Sequence, residues 1–159
     1  MTNLTLYTAE ICPYAQRTRI LLGEKAIAHQ AVEIDIYDKP DWFVELTPNQ
    51  RVPVIDHAGF VLWESATINE YLDAAFDGPS LRPAAEQRRA LMRNEIRYID
   101  NVFLPQLYKM LFEQAPAAQV ALKVVVEDQM RFVESRLTAL QGEDGPYWMG
   151  GAVSLADVA

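Results

Sequence analysis

Every strand-like pattern in this sequence falls before residue 78, and beyond that point only helical spacing remains. Leu4 to Tyr7 alternates and predicts a short strand. Pro13 follows Cys12 and opens a helical stretch to about Ala26. Proline suits the first helical position, where a missing N–H costs nothing, so Cys12 is expected at the N-cap. Gln30 to Ile36 places Val32, Ile34 and Ile36 at a period of two and predicts a second strand. A short helical turn is expected around Trp42 and Phe43. Arg51 to Ile55 reads as a strand interrupted by Pro53, Asp56-His57-Ala58-Gly59 as a turn, and Phe60 to Trp63 as the returning strand of a hairpin. Ser65 is expected to cap a helix whose apolar face is Ile68, Leu72, Ala75 and Phe76.

The order is βαβ and then ββα, with a parallel first pair joined by a right-handed crossover. That is an α/β, thioredoxin-like arrangement: a mixed sheet with helices on both faces, here over residues 1–77. Asp77-Gly78-Pro79-Ser80 and Pro83 break the pattern, so residues 78–83 are expected to be a linker. Residues 84–159 are expected to form an all-helical domain. Met92, Ile96, Ile99, Phe103, Leu107 and Met110 step along one helix, which Pro105 should kink. Leu122, Val126, Met130, Val133, Leu137 and Leu140 mark a second helix. Both stripes read as core-facing. Ser154 and Asp157 are spaced as a capping box, with two residues after it, and this predicts that the helical domain is truncated.

The composition excludes several classes of function. The net charge is -8, and Glu86 flanks the only tight basic cluster, Arg88-Arg89, so nucleic acid is not an expected partner. No stretch approaches the roughly 18 apolar residues that span a bilayer. Residues 1–12 carry neither a basic start nor a long apolar run, so the cytoplasm is the expected compartment. A single cysteine forms no disulfide within the chain and suits a reducing environment. No metal is expected.

Cys12 stands where a strand feeds a helix N-terminus, and the free N–H groups and the dipole there favour a thiolate. A lone cysteine is otherwise a small buried apolar residue; the Cys-Pro context at a helix start decides for reactivity. The second position of a dithiol pair is Ala15, so the chemistry left to the thiol is a mixed disulfide with an external thiol. Val52-Pro53 lies in a strand segment, where a proline cannot donate to the ladder. It is either an ordinary edge-strand proline or a cis proline that leaves the preceding backbone open to a peptide. Glu64-Ser65 stands at another strand-to-helix junction. The helix start can hold a carboxylate and Glu64 an ammonium, although Ser65 would serve as a plain N-cap in any case.

Together these segments resemble the glutathione transferases, most nearly the omega class. The resemblance rests on Ile11-Cys12-Pro13-Tyr14-Ala15-Gln16-Arg17-Thr18-Arg19, on Lys39-Pro40-Asp41-Trp42-Phe43, on Pro48-Asn49-Gln50-Arg51-Val52-Pro53-Val54, and on Trp63-Glu64-Ser65 followed by Glu70-Tyr71-Leu72. It covers nearly all of residues 4–83. It implies Cys12 as the catalytic thiol with Tyr14 beside it, and Lys39 on the glycyl carboxylate of glutathione. It further implies Val52 as a backbone partner of the cysteinyl part, Pro53 cis, and Glu64 and Ser65 on the γ-glutamyl end. Read without the resemblance, Lys39 is a solvated surface lysine. Tyr7 and Thr8 match hydroxyl residues of other classes, and with Cys12 present their implied role is minor.

The activity implied is glutathione-dependent thiol transfer or reduction, of the thioltransferase or dehydroascorbate reductase type. Glutathione would be the co-substrate, the second substrate a small electrophilic or oxidised molecule, and the assembly a homodimer. The family's helical domain runs well past residue 159, which again implies truncation. Pro48-Asn49-Gln50 and Trp-Glu-Ser are also similar to the stringent starvation protein A relatives, which bind RNA polymerase without glutathione chemistry. The Cys-Pro motif argues against that non-catalytic alternative.

Overall fold

A computed structural model describes residues 3–142 and 145–159 of the 159-residue chain. It divides into two compact units, the first running to Ser80 and the second beginning at Leu81.

The first unit runs β1 (Leu4–Thr8), α1 (Pro13–Glu24), β2 (Gln30–Glu33), α2 (Asp41–Leu46), β3 (Val54–His57), β4 (Phe60–Trp63) and α3 (Ser65–Ala75). The strands form one mixed sheet in the order β2-β1-β3-β4, with β1 and β2 parallel and the other pairs antiparallel. This is the expected thioredoxin-like α/β fold. Period-two alternation divides the core. Leu4, Leu6 and Ile55 are buried on the sheet face covered by α1 and α3, with Leu21, Leu22, Ile68 and Leu72. On the other face Phe43 of α2 packs with Val54, beside Tyr7, Val32 and Trp63. Inside the first layer the Thr18 hydroxyl donates to Asn69 Oδ1 at 2.9 Å and joins α1 to α3.

Four local expectations are corrected. β2 ends at Glu33 rather than Ile36: Ile34 N–H still reaches Thr8 O at 2.8 Å, and then Asp35 Oδ1 accepts from the amides of Tyr37 and Asp38 and turns the chain. β3 begins after Pro53, which has no donor for the ladder, and extends through His57. The hairpin turn is therefore only Ala58-Gly59, with φ of +54° and +88°. Positive φ at both central residues is what a two-residue turn of this twist requires. Finally, Ser65 is the first helical residue of α3, and Glu64 takes the N-cap position at φ +70° and ψ 111°.

The second unit holds α4 (Glu86–Tyr98), a π turn (Ile99–Phe103), α5 (Leu104–Phe112) and α6 (Pro116–Gln141). The break expected at Pro105 is displaced upstream. Leu104 N–H bonds Ile99 O, five residues back, and Pro105 falls in the first turn of α5. A proline ring clashes with the carbonyl four residues earlier, and a widened turn makes room for it. Met92, Ile96 and Ile99 are buried as expected. The α6 stripe is not: Val126 is its only buried member, and Met130 is 55% exposed. Ser154 and Asp157 form the reach-back half of the expected capping box, while the Asp157 N–H goes to Ser154 O instead of to the serine hydroxyl. Asp157 Oδ2 accepts from Ser154 N–H at 2.8 Å and from Ser154 Oγ at 2.6 Å, and the residues between form a turn.

Candidate functional site

Sheet register brings the candidate residues of the first unit to one end. Tyr7 pairs Val54 and Val54 pairs Trp63. The exit of β1 toward Cys12, the entry to β3 at Val52-Pro53 and the exit of β4 toward Glu64-Ser65 therefore lie side by side. Thr8 pairs Glu33 on the other flank, so the loop from β2 toward Lys39 leaves from the same end.

Cys12 is the N-cap of α1 with φ -88° and ψ 114°, and Pro13 is the first helical residue. Its thiol is half-buried and lies 3.8 Å from Val52 O, to which it donates. It packs against the buried cluster of Ala9, Ala15, Ile34, Phe43, Val52 and Val54. The loop delivering Cys12 is anchored from α1. Arg19 Nη1 donates to Thr8 Oγ1 at 2.7 Å and to Ala9 O at 2.9 Å, and Nη2 donates to Glu10 O at 3.0 Å. Ala9 O also accepts the Cys12 amide at 3.0 Å. Thr8, whose hydroxyl the sequence offered as a minor site group, is thus engaged in holding this loop.

Tyr14 follows in the first turn of α1, with the Arg17 guanidinium 4.9 Å from its ring centre. Val52-Pro53 is cis, and both residues are buried. Of the two readings open for this proline, the cis one is observed. Tyr7 stacks at a tilt on Trp42 and Phe43. Burial, and then the Asp56 carboxylate, hold its phenol above the ordinary tyrosine range.

Glu64 occupies a backbone region that side chains rarely adopt. Its carboxylate Oε1 accepts from Asn49 Nδ2 at 3.0 Å. Asn49 is itself fixed, because its Oδ1 accepts from Thr47 Oγ1 at 3.1 Å and from Arg51 N–H at 3.2 Å. Ser65 is buried beside Glu64. Lys39 is half-buried in the loop before α2. Among the described residues no hydrogen bond or ion pair ties it to the other candidates. Among the described residues there is also no group of three His, Cys, Asp or Glu side chains fit to hold a metal. Sequence reasoning overlooked Arg19 and Asn49. Both stand inside the motifs it used, seven residues after Cys12 and three before Val52.

Residues 6–80 match the family model described as glutathione S-transferase, N-terminal domain. The chain is 30% identical over 155 residues to glutathione S-transferase omega-1 of Sus scrofa, covering 97% of this chain and 63% of that protein. It thus spans less than two thirds of that relative's length. The crystal structure of glutathione transferase Omega 3C from Trametes versicolor superposes with a TM-score of 0.88 at 28% identity, over 99% of this chain and 66% of that one. That of rice GST1 in complex with glutathione gives a TM-score of 0.86 at 27% identity, over 99% and 71%.

Proposed function

We propose, from the match of residues 6–80 to the glutathione S-transferase N-terminal domain model, that this chain is an omega-like glutathione-dependent thiol transferase acting through a mixed disulfide at Cys12. The observation that carries the reading is the placement of a lone thiol at the N-cap of α1, 3.8 Å from the Val52 carbonyl and beside cis Pro53. The Cys12 thiolate attacks the glutathionyl sulfur of a mixed disulfide. The old S–S bond breaks, the displaced thiolate takes a proton, and Cys12 carries the glutathionyl group. A second glutathione thiolate then attacks that sulfur, releasing glutathione disulfide and restoring the Cys12 thiolate. Ala15 leaves no internal thiol to do this.

In this reading Lys39 holds the glycyl carboxylate, the Val52 backbone pairs with the cysteinyl part, Tyr14 flanks the thiol, and Glu64 and Ser65 hold the γ-glutamyl ammonium and carboxylate. Glutathione binding is assigned to residues 1–77, a linker to 78–83 and the helical domain to 84–159. The assembly is a homodimer, and the reaction belongs to the reducing cytoplasm. The glutathione transferase names of the relatives and the Cys12-Pro13 motif favour this over the polymerase-binding module.

Intact mass after exposure to oxidised glutathione tests the mechanism. One glutathionyl adduct, removed by a reductant and lost in Cys12→Ser, is expected. A parent chain that takes no adduct would overturn it.

A further inference from the structure

We propose that Asn49 is a positioning residue that sets the preference of the site for a γ-glutamyl group by fixing the carboxylate of Glu64; this rests on the glutathione site proposed above. An aspartyl or glutamyl side chain at a surface junction ordinarily samples several rotamers, and the entropy of fixing it opposes ligand binding. Here the rotamer is held in advance. Among the described residues, Asn49 is the only side chain that hydrogen-bonds Glu64.

The direction of that bond is decided by the other end of the amide. Thr47 Oγ1 and Arg51 N–H both donate to Asn49 Oδ1. The oxygen is therefore turned toward the loop, and the NH₂ group toward Glu64. Thr47 is buried, so the relay begins on a fixed residue. The loop also holds its shape through Gln50, at φ +52°, whose N–H reaches Thr47 O at 3.3 Å. The chain of contacts thus runs from Thr47 through Asn49, in the loop between α2 and β3, to a carboxylate at the junction of β4 and α3, fifteen residues away.

An NH₂ group bonded to one carboxylate oxygen leaves the carboxylate its full charge and its second oxygen. That is what an incoming ammonium requires. The ligand chemistry selected is a primary ammonium beside a carboxylate, as on a γ-glutamyl end, and the cysteinylglycine part of the ligand does not engage it.

The test measures the second-order rate of mixed-disulfide formation at Cys12 with oxidised glutathione and with oxidised cysteinylglycine, which lacks the γ-glutamyl group. Asn49→Asp keeps the acceptor for Thr47 and Arg51 but sets a like charge against Glu64; Asn49→Ala removes both. Each is expected to slow the glutathione reaction about threefold to tenfold, the range for one lost hydrogen bond to a partly solvated charge. The cysteinylglycine rate stays at the parent value, which also reports that the thiol and its fold are intact. In a Glu64→Gln background the Asn49 substitutions add nothing further. Equal slowing with both disulfides, or fully additive losses in the double variants, would overturn the positioning role while leaving the site reading in place. If Glu64→Gln reacts with both disulfides as the parent does, the site reading falls, and this proposal with it.

Discussion

Lys25 Nζ lies 3.3 Å from Asp73 Oδ1, with the two side chains 1% and 0% exposed. The ammonium also donates to the Asp73 and Pro79 carbonyls at 3.2 and 3.1 Å, and Ser80 Oγ donates to Asp73 Oδ2 at 3.1 Å. The cluster ties the end of α1 to α3 and to the segment leaving it. Removing the lysine charge alone takes from a buried carboxylate the cation that lies 3.3 Å away. Lys25→Met is therefore expected to lower the unfolding free energy by about 3–5 kcal/mol. Adding Asp73→Leu should recover a large part of that loss. Urea denaturation of both variants checks the pair; a double variant no more stable than the single one would show that the charge is not the cause.

Cys12 is half-buried, packs against the apolar cluster on one face of the sheet and makes one long S–H···O contact. Cys12→Ser nearly keeps the size of the side chain and keeps a donor for Val52 O, and is expected to lower stability by no more than about 1 kcal/mol, near the centre of single-substitution effects. The same variant should lose all thiol transfer. Thermal melts and turnover with a glutathionylated substrate measure the two effects separately. Residual turnover would mean that glutathione's own thiol is the one activated.

Glu64 is expected to trade stability for binding. Its φ of +70° is strained for any residue with a Cβ, and glycine adopts such angles freely. Glu64→Gly should raise stability by about 1 kcal/mol through relief of that strain. It should weaken glutathione by roughly 1.5–3 kcal/mol through loss of a charged partner. Calorimetric titration and denaturant unfolding of the same sample give both signs. A variant that loses affinity and stability together would contradict the strain argument.

The Tyr7 phenol is held above its ordinary range by burial and by Asp56. The folded state therefore keeps a proton that the unfolded chain releases. The stability this gives is complete below the unfolded tyrosine value and is lost as pH rises through the higher folded value. Tyr7→Phe is expected to flatten the alkaline limb of the stability profile and leave the neutral region unchanged in slope. Unfolding followed across alkaline pH measures it, and identical limbs in parent and variant would refute it.

The elements legible in the sequence were those with a regular period. β1, α1 and β4 follow from alternation or from proline at a helix start, and the mixed sheet follows from their order. What was hidden depends on contacts distant in sequence. Ser65 was expected as the cap because serine is the better N-cap by its own chemistry. The hairpin register instead places Glu64 there, in a conformation that no local preference would select. The α6 stripe looked core-facing because a helical period reports amphipathicity and does not say what covers the face. Arg19 and Asn49 act by hydrogen bonds to backbone and side chains in other segments, and a single charged or amide residue carries no periodic signal. Lys25 was invisible for the same reason: nothing around it in sequence marks a lysine that will be buried against a carboxylate 48 residues away.

The π turn at Ile99–Phe103 also sets the phase of the helix that follows it. One residue more than the α-helical ladder needs is taken up there, and each residue advances the azimuth by about 100°. A stripe read straight through from Met92 to Met110 therefore belongs to two different faces, one ending at Ile99 and one starting at Leu104. Burial falls off across the turn: Met92, Ile96 and Ile99 lie inside, whereas Leu107 and Met110 are only half-buried and no residue of α5 is buried. Excising one residue between Asp100 and Phe103 would rotate α5 back by a quarter-turn and more, aligning the two faces into a single seam and carrying the side chains of Leu107 and Leu111 to a different bearing around the axis.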